Sequence, residues 1–573
     1  MTMAPTPTSL EIATAATLRP MSEVAADLGI DENHLEHYGR GVAKIDLAAL
    51  DAPAAAQGDA RGDARYVVVT AVTPTPLGEG KTTTCVGLAQ GLVARGTKAV
   101  VTLRQPSMGP TFGIKGGAAG GGYSQVVPME RLNLHLTGDF HAVTAAHNLL
   151  AAMVDNDLHQ GSAVGLDPRS VSWRRVIDVN DRSLRNVVIG LGARVDGVTR
   201  ESGFDITAAS EVMVILTLST SLQDLRERLG RIVVGSTASG EAVTAEDLHA
   251  AGAMAVILKD ALKPNLLQTL EGGPALVHCG PFGNIATGTS SVIADRIALS
   301  HAEVVVTEAG FGSDMGAERF FDVKCRTEGL TPDAAVVVTT VRAMKAHSGR
   351  YDIRPGKGLP PEMLEENPDD VTAGLPNLEA HLGIVRRFGV VPVVAINAFP
   401  EDHDSEHAVI QGLCERLGVR CAVSTHVADG GPGAAALADA VLDALREGSS
   451  FRYLYPLAAP LVEKIETIAT QVYGADGIDL SPAAAKGLAD FERLGFGGLP
   501  VVIAKTHLSI SSDPSLRGAP TGWRLPVREV RLAAGAGYVY AICGDMRTMP
   551  GLPRHPNATR IDLDADGNVT GLF

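Results

Sequence analysis

The sequence predicts an α/β protein whose core resembles that of P-loop NTPases, with a parallel β-sheet flanked by helices. Two observations support this: short apolar runs alternate with helical patterns, and a Gly-Lys-Thr loop lies between one such run and a helix. A third observation is the length of 573 residues, which exceeds what a single core supports. We therefore also expect smaller α/β domains beside the core.

The first β-α-β unit is the clearest part of this pattern. Tyr66–Val72 and Lys98–Leu103 are predicted strands, and a helix from about Thr82 to Ala94 lies between them. Further apolar runs predict that the alternation continues along the chain, at Val187–Leu191, Val212–Leu218, Val304–Thr307, Val336–Val341, Val391–Asn397, Ala422–Ser424 and Val501–Lys505. Near the end, Asp564–Asn568 between short apolar pieces predicts a hairpin.

The pattern divides the chain into five predicted segments. They are an N-terminal helical segment 1–62, a P-loop nucleotide-binding domain 63–348, an excursion 349–370 rich in Pro, Gly and charge, an α/β domain 371–460, and a C-terminal α/β domain 461–573.

Composition and charge restrict the partners. The net charge of −16 argues against a general binder of nucleic acid or anionic membranes. The six cysteines lack CxxC spacing, which favours reduced thiols in the cytosol over a zinc site or a disulfide framework. No apolar stretch approaches the roughly 20 residues of a membrane span, and the first twenty residues do not resemble a secretion signal. We expect a cytoplasmic protein that acts on small molecules.

The loop between the first strand and its helix predicts a phosphate site. A helix N-terminus and glycine backbone N–H groups favour an anion at this position. Lys81 supplies a cation for the β- and γ-phosphates, and Thr82 supplies a hydroxyl for Mg²⁺. The P-loop pattern is incomplete, because Thr75 stands where its first glycine belongs. The alternative is a glycine-rich turn with a solvated lysine. The predicted nucleotide-binding residues are Thr75, Pro76, Leu77, Gly78, Glu79, Gly80, Lys81, Thr82 and Thr83.

Arg104 follows the second strand of the same unit. Because the carboxyl ends of parallel strands face one crevice, we expect this guanidinium beside the γ-phosphate. The alternative is a surface ion pair.

The segment Gly113–Tyr123 contains six glycines in eleven residues. Glycine is costly in regular structure, so such a run indicates backbone that closely approaches a ligand or another chain. Lys115 places a cation inside the run, and Phe112, Ile114, Ala118, Ala119 and Tyr123 resemble a packed wall. A flexible linker is the alternative, although linkers favour Ser and other polar residues.

Four polar residues follow within thirteen positions: His135, Asp139, His141 and His147. Three interpretations stay open: a metal site, polar groups bonded inside a buried helix and loop, and positioning around a reactive anion. We assign Asp139 a catalytic role on the third interpretation.

Two long segments carry a resemblance to a known family. Gly113–Tyr123 and Val338–Gly349 resemble the signatures of formate–tetrahydrofolate ligases, and the similarity extends over roughly residues 20–573. Other similar segments are Pro74–Thr84, Val126–Met129, Ala146–Asp155, Trp173–Asp178, Thr307–Gly312, Asn397–Phe399 and Met549–Pro553.

The resemblance implies the reaction of ATP, formate and tetrahydrofolate to give ADP, phosphate and 10-formyltetrahydrofolate. Formate attacks the γ-phosphate to give formyl phosphate, whose formyl carbon is then attacked by the N10 amine. The resemblance further implies a Mg²⁺-dependent homotetramer that is activated by a monovalent cation, K⁺ or NH₄⁺.

The resemblance also implies roles for individual residues. Lys81 and Arg104 would hold the transferred phosphoryl group and formyl phosphate, and Phe399 would form one wall of the pterin site, in the 371–460 domain. We place Lys115, Gly116, Gly117 and His278 around formyl phosphate.

One departure from the family pattern concerns folate. Where the family often has Val-Trp-Ala-Lys-Gly-Gly, this sequence has His426-Val-Ala-Asp-Gly-Gly431. Val427 therefore stands in the place of a second aromatic wall, and Asp429 in the place of a lysine.

Two other functions compete with this interpretation. One is a different P-loop ligase, such as a carboxylating synthetase. The other is a non-enzymatic ATP switch, which would usually be shorter and would not need a second glycine-rich wall. Formate-dependent release of ADP distinguishes them.

Overall fold

A single large sheet forms the centre of the molecule. The computed structural model describes residues 7–50, 64–76, 78–114, 117, 119–353 and 359–572, and within them this sheet has twelve strands. Its main path follows the order Leu35–His37, Ala43–Ile45, Asn265–Thr269, Pro274–Val277, Ala99–Leu103, Val304–Glu308, Arg65–Ala71, Ala334–Thr339, Val391–Asn397 and Arg420–Ser424. The strands Gly120–Gly121 and Ser124–Val127 branch from this path at Asn265–Thr269.

The larger part of the sheet is parallel. All strands from Pro274–Val277 to Arg420–Ser424 in this order run in the same direction. The remaining pairs, at the end that carries Leu35–His37, are antiparallel. The predicted mixed α/β architecture with a mostly parallel sheet is confirmed, and the carboxyl ends of its central strands meet at one edge.

Helices cover both faces of the sheet, so the central strands are valine-rich and buried throughout. Val67 and Val69 pack on the face that is covered by the helices Lys81–Ala94 and Ala435–Leu445. Tyr66 and Val68 belong to the opposite core, whose helices include Val292–His301, Val341–His347, Pro368–Arg387 and Asp404–Leu417.

The other helices precede or connect these elements. They are Ser9–Thr14, Met21–Leu28, Met108–Phe112, Met129–Asn133, Asp139–His159, Glu211–Leu218, Leu222–Gly230, Ala251–Leu258, Cys325–Glu328 and His426–Gly433, with π-helical turns at Ser313–Ala317 and Phe320–Lys324. None of the helices in the described ranges has the length and apolar character needed to cross a bilayer.

The C-terminal part builds its own small sheet. Val501–Ala504, Tyr538–Ile542 and Glu529–Ala533 pair in that order, next to the helices Leu461–Gln471 and Pro482–Arg493. The hairpin predicted around residues 564–568 is confirmed, with strands Asp562–Leu563 and Val569–Thr570. Two-stranded pairs complete the fold: Ile478–Leu480 with Leu525–Val527, Arg175–Ile177 with Phe204–Ile206, Val187–Ile189 with Arg200–Ser202, and Val233–Ser236 with Ala242–Thr244.

For one apolar run, the prediction of a strand is wrong, because the run forms a helix. Val212–Leu218 belongs to the helix Glu211–Leu218, which begins where the Ser210 side chain accepts a hydrogen bond from the Met213 N–H. Residues 212–218 are buried, and a continuous apolar run does not distinguish a strand from a fully buried helix. A second run, Val501–Lys505, does form a strand, but in the C-terminal sheet.

The central sheet joins several predicted segments. It takes Leu35–His37 and Ala43–Ile45 from the segment 1–62, which therefore contains strands as well as helices, and Val391–Asn397 from the segment 371–460. Within 349–370, the last three residues already belong to the helix Pro368–Arg387, and residues 354–358 lie outside the described ranges. The division into domains remains a prediction.

Candidate functional site

The predicted phosphate loop lies at the carboxyl edge of the parallel sheet. Residues 72–80 connect the strand Arg65–Ala71 to the helix Lys81–Ala94. Gly80 caps this helix with φ of 77°, and a Cβ atom there would lie 2.4 Å from Asn397 Nδ2. Gly78 also has φ of 77°. Both positions require glycine for its backbone freedom, and the resulting helix N-terminus suits an anion. Leu77 lies outside the described residues.

Lys81 and Glu79 form a polar pair inside this loop. The Lys81 side chain is only 16% exposed, and its Nζ lies 4.0 Å from Glu79 Oε2. Glu79 Oε1 accepts a hydrogen bond of 2.7 Å from the Thr75 N–H, so the carboxylate also shapes the loop. Burial lowers the pKa of Lys81 and raises the pKa of Glu79, while each group opposes the shift of the other. A bound polyphosphate would stabilise the charged ammonium.

Glu308 connects the loop to Arg104. This carboxylate ends the strand Val304–Glu308 and is 1% exposed. Its Oε2 accepts a hydrogen bond of 2.7 Å from Thr82 Oγ1, and its Oε1 accepts one of 3.2 Å from Arg104 Nε. Electrostatic interactions with Glu308 and Arg104 also act on the Lys81 ammonium. Thr82 and Arg104, both predicted from the sequence, therefore meet at Glu308, which was not predicted, and Lys81 precedes Thr82 at the start of the helix.

A ring of side chains fixes the first residue of the loop. The Thr73 N–H donates to Asn377 Oδ1 at 3.1 Å, and Thr73 Oγ1 bonds Asn377 Nδ2 and His381 Nε2, both at 2.9 Å. His347 Nε2 donates to the Thr73 carbonyl at 2.8 Å. Burial lowers the pKa of both histidines to about 4, so they are neutral near pH 7. The start of the phosphate loop is thus held by the helices Val341–His347 and Pro368–Arg387.

Asp139 lies in a different polar group. It is buried at the start of the helix Asp139–His159, with its carboxylate 2.8 Å from Lys44 Nζ and 2.8 Å from Asn265 Nδ2. Lys44 also donates to the Lys263 carbonyl. Within the described part of the chain, Asp139 makes no hydrogen bond or ion pair with Lys81 or Arg104. These bonds tie the N-terminal strands to the helix, and the catalytic role of Asp139 remains a prediction.

His278 is also fully engaged. Its Nδ1 lies 2.6 Å from Ser291 Oγ and its Nε2 lies 2.7 Å from the Ala261 carbonyl. Burial lowers its pKa to about 4. The ring is neutral, and both nitrogens are occupied, so this geometry holds the end of the strand Pro274–Val277 in place. Contact with formyl phosphate remains a prediction.

The glycine run packs tightly where the structure describes it. A Cβ atom on Gly117 would lie 1.8 Å from Asn133 Oδ1, and one on Gly122 would lie 2.1 Å from the Val427 carbonyl oxygen. Lys115, Gly116 and Ala118 lie outside the described residues. The prediction of a packed wall holds for Ala119, which is buried, but is wrong for Ile114 and Tyr123, which are 57% and 44% exposed.

The predicted pterin end contains one aromatic face and one aliphatic side chain. Phe399 follows the strand Val391–Asn397, and the Arg342 guanidinium lies 4.0 Å from the centre of its ring. Arg342 also donates to Glu401 at 2.6 Å. Val427 is partly buried, and its carbonyl accepts a hydrogen bond of 2.9 Å from the Tyr123 N–H. The glycine run therefore lies directly against the segment that lacks the second aromatic wall.

The donor set suits Mg²⁺ that is held mainly by phosphates. Mg²⁺ prefers oxygen ligands and usually takes one or two from protein, with phosphates and waters supplying the rest. The Thr82 hydroxyl provides such an oxygen at the start of the helix, and the Glu308 carboxylate accepts the proton of that hydroxyl. Among the described residues, no cluster of three or more His, Cys, Asp or Glu side chains could hold a metal ion alone.

Sequence comparison identifies the family. The family model described as formate–tetrahydrofolate ligase matches residues 7–573. A formate–tetrahydrofolate ligase of Cutibacterium acnes is 67% identical over 98% of this chain and 99% of its own length. Similar proteins of the same name in Saccharopolyspora erythraea and Chloroflexus aggregans are 64% and 53% identical over 99% of this chain, and over 99% and 100% of their own lengths. With the matching segments spread over the whole chain, this protein belongs to the formate–tetrahydrofolate ligase family.

Proposed function

We propose that this chain ligates formate to tetrahydrofolate through formyl phosphate, at the carboxyl edge of the parallel sheet. A formate oxygen forms a bond to the γ-phosphorus of ATP, and the bond from that phosphorus to ADP breaks. The N10 amine then forms a bond to the formyl carbon, phosphate leaves, and N10 loses its proton. The products are ADP, phosphate and 10-formyltetrahydrofolate.

The observation that carries this proposal is that Thr82 and Arg104 bond the two oxygens of Glu308, while Lys81 precedes Thr82 at the start of the same helix. Formate is ionised at neutral pH and needs no general base, so the protein has to supply positioning and positive charge. In the proposed site, the nucleotide-binding loop Thr75–Thr83 surrounds the polyphosphate in the manner of a P-loop NTPase. Lys81 and Arg104 neutralise the transferred phosphoryl group, and Thr82 would hold Mg²⁺, which supplies further charge neutralisation when bound.

The second half-reaction needs a wall that excludes water, because formyl phosphate hydrolyses readily. We assign that wall to the glycine run, with Lys115, Gly116 and Gly117 near formyl phosphate. Phe399 and Val427 line the pterin, and His278 and Asp139 support the site. Activation by K⁺ or NH₄⁺, a homotetrameric assembly and a cytoplasmic location complete the proposal.

Formate-dependent release of ADP tests this function. The purified chain is incubated with Mg²⁺, ATP and tetrahydrofolate, with and without formate, while ADP and 10-formyltetrahydrofolate are measured. We expect the two products in equal amounts, and only with formate. ADP release that does not depend on formate would instead support an ATP switch, and dependence on bicarbonate would support a carboxylating synthetase.

A further inference from the structure

We infer that Glu308 is a positioning residue that couples the Mg²⁺ side of the site to the formyl-phosphate side, an inference that rests on the proposed function. Glu308 is the end of a central strand, with neighbours on both sides: its own Cα is paired with Val69, and Thr307 is paired with Thr102. The carboxylate is therefore carried by a strand that is paired on both sides, and it contacts one predicted ligand with each oxygen.

The bond to Thr82 has the direction that a metal ligand needs. A hydroxyl that binds a cation through its oxygen keeps its proton and must donate it to an acceptor. Glu308 Oε2, at 2.7 Å from Thr82 Oγ1, is that acceptor. The lone pairs of Thr82 Oγ1 then remain available for Mg²⁺, so Glu308 orients the ligand in the way that outer carboxylates orient metal-binding side chains.

The bond to Arg104 orients the guanidinium on the formyl-phosphate side of the site. Glu308 Oε1 accepts a hydrogen bond from the Arg104 Nε–H, which lies on the side of the guanidinium nearest the main chain. For the terminal amino groups, the described residues offer one long contact, from Nη1 to the Pro281 carbonyl at 3.4 Å. The planar fork therefore stays available for two oxygens of an acyl phosphate or a γ-phosphate.

The single Glu308 carboxylate can serve both Thr82 and Arg104, because each of its oxygens accepts one hydrogen bond. A buried carboxylate without donors would be strongly destabilised, but two donors satisfy Glu308. A replacement by the isosteric amide leaves one acceptor oxygen for two donors and turns an N–H₂ group toward one of them. Glu308→Gln should therefore weaken the bond to Thr82 or the bond to Arg104 without changing the side-chain volume.

The experiment uses calorimetry of ATP binding by the full chain, with and without Mg²⁺ and without formate or folate. For Glu308→Gln we expect the tightening of ATP binding by Mg²⁺ to fall about tenfold, within the range seen when outer carboxylates are lost. Formate-dependent turnover should fall roughly ten- to hundredfold, while the KM for tetrahydrofolate stays unchanged. In a Thr82→Val background, the Glu308→Gln change should no longer alter the Mg²⁺ effect.

Asp155→Asn is the matched control. Like Glu308, Asp155 is a carboxylate that accepts bonds from two side chains, here Arg175 at 2.8 Å and Arg200 at 2.7 Å, neither of which belongs to the proposed site. This variant should alter thermal stability but not the Mg²⁺ dependence of ATP binding. If Glu308→Gln fails to fold, Glu308→Asp, which is too short to reach both partners, replaces it.

An unchanged Mg²⁺ effect in the Glu308 variants would overturn the inference, as would equal losses in Asp155→Asn. The binding measurement does not depend on ligase turnover. A wild-type chain that binds Mg²⁺ and ATP but shows no formate-dependent ADP release would therefore contradict the proposed function alone.

Discussion

The end of the site predicted to bind phosphate and the end predicted to bind folate present different chemical groups. At the phosphate end, three side chains bond Thr73, and Glu308 bonds both Thr82 and Arg104 through buried atoms. At the predicted folate end, the groups are the apolar side chains of Phe399 and Val427. Their main chain is also bonded, with the Phe399 N–H donating to Asp402 Oδ2 and the Tyr123 N–H donating to the Val427 carbonyl. The Arg342 guanidinium lies 4.0 Å from the centre of the Phe399 ring.

This difference matches the chemistry proposed for each end. Phosphoryl transfer requires charges that are already in position, because moving them during the reaction would cost part of the rate. A flat, apolar ring is bound mainly by contact area and stacking, which tolerate several side chains. Asn397 joins the two ends: its Nδ2 donates to the Glu79 carbonyl, and Phe399 follows two residues later. Substitutions should therefore be most severe at the phosphate end.

The largest effect is expected for Lys81→Ala. Loss of a cation beside the transferred phosphate should lower kcat by about 10²–10³-fold, as the loss of one preorganised donor does elsewhere. Steady-state rates with saturating formate and tetrahydrofolate provide the measurement. Lys486→Ala, on the exposed face of the helix Pro482–Arg493, is the control. Nearly normal turnover of Lys81→Ala would contradict the P-loop interpretation.

Arg104→Lys should follow, with turnover reduced roughly ten- to hundredfold. Lysine keeps the charge but loses both the planar fork and the Nε–H that bonds Glu308. We expect ATP binding to survive better than turnover, as judged by calorimetry and kinetics on the same preparation. Arg95→Lys, at the surface pair with Asp439, serves for comparison. Equal losses in binding and turnover would make Arg104 a nucleotide ligand instead.

Acid should weaken the phosphate end through its neutral histidines. Burial depresses the pKa of His381 to about 4 in the folded state, below the ordinary value of 6.5, so the unfolded chain takes up the proton first. The contribution of His381 to the free energy of unfolding is then fully present above about pH 6.5. It decreases as the pH falls toward 4, by on the order of 1 kcal/mol per pH unit for each such group.

Thermal unfolding between pH 4 and 8 measures this effect. His381→Gln should show a shallower decrease in Tm than the parent chain, whereas the exposed His159→Gln should not. The comparison between variants is needed because Glu211, with its pKa raised by burial to about 7, acts in the opposite direction. Identical slopes for His381→Gln and the parent would rule out this contribution.

The smallest effect is expected at the folate end, for Val427→Trp. A second aromatic face should tighten the apparent affinity for tetrahydrofolate by roughly threefold to tenfold, because each stack adds about 0.5–1.5 kcal/mol beyond burial. ATP and formate should be unaffected. Apparent affinities for the three substrates are measured separately, with Val256→Trp, on an exposed helix face, as the control. No change, or an equal change for ATP, would mean that Val427 does not line the pterin site.

The sequence correctly predicted the strand, turn and helix around residues 72–80 because their signals are local. A β-branched run, two glycines and Lys-Thr at the helix start specify strand, turn and helix within about 20 residues. The sequence did not indicate Glu308, which directly follows a predicted strand, because a carboxylate at a strand end is common and its partners are over 200 residues away. The prediction of a strand at residues 212–218 was wrong for a related reason. Burial on all sides removes the hydrophobic periodicity that distinguishes a helix from a strand.

By itself, then, the sequence determined the alternating α/β pattern, the glycine turn that is predicted to bind an anion and the long segments that match the ligase family. Tertiary structure decided which polar groups share one crevice and which are bonded elsewhere. It placed Thr82 and Arg104 beside Glu308, and it placed Asp139 beside Lys44 and Asn265. The physical reason is that strand and turn preferences act over a few residues, whereas a buried charge is satisfied by whichever donor the packed sheet brings to it.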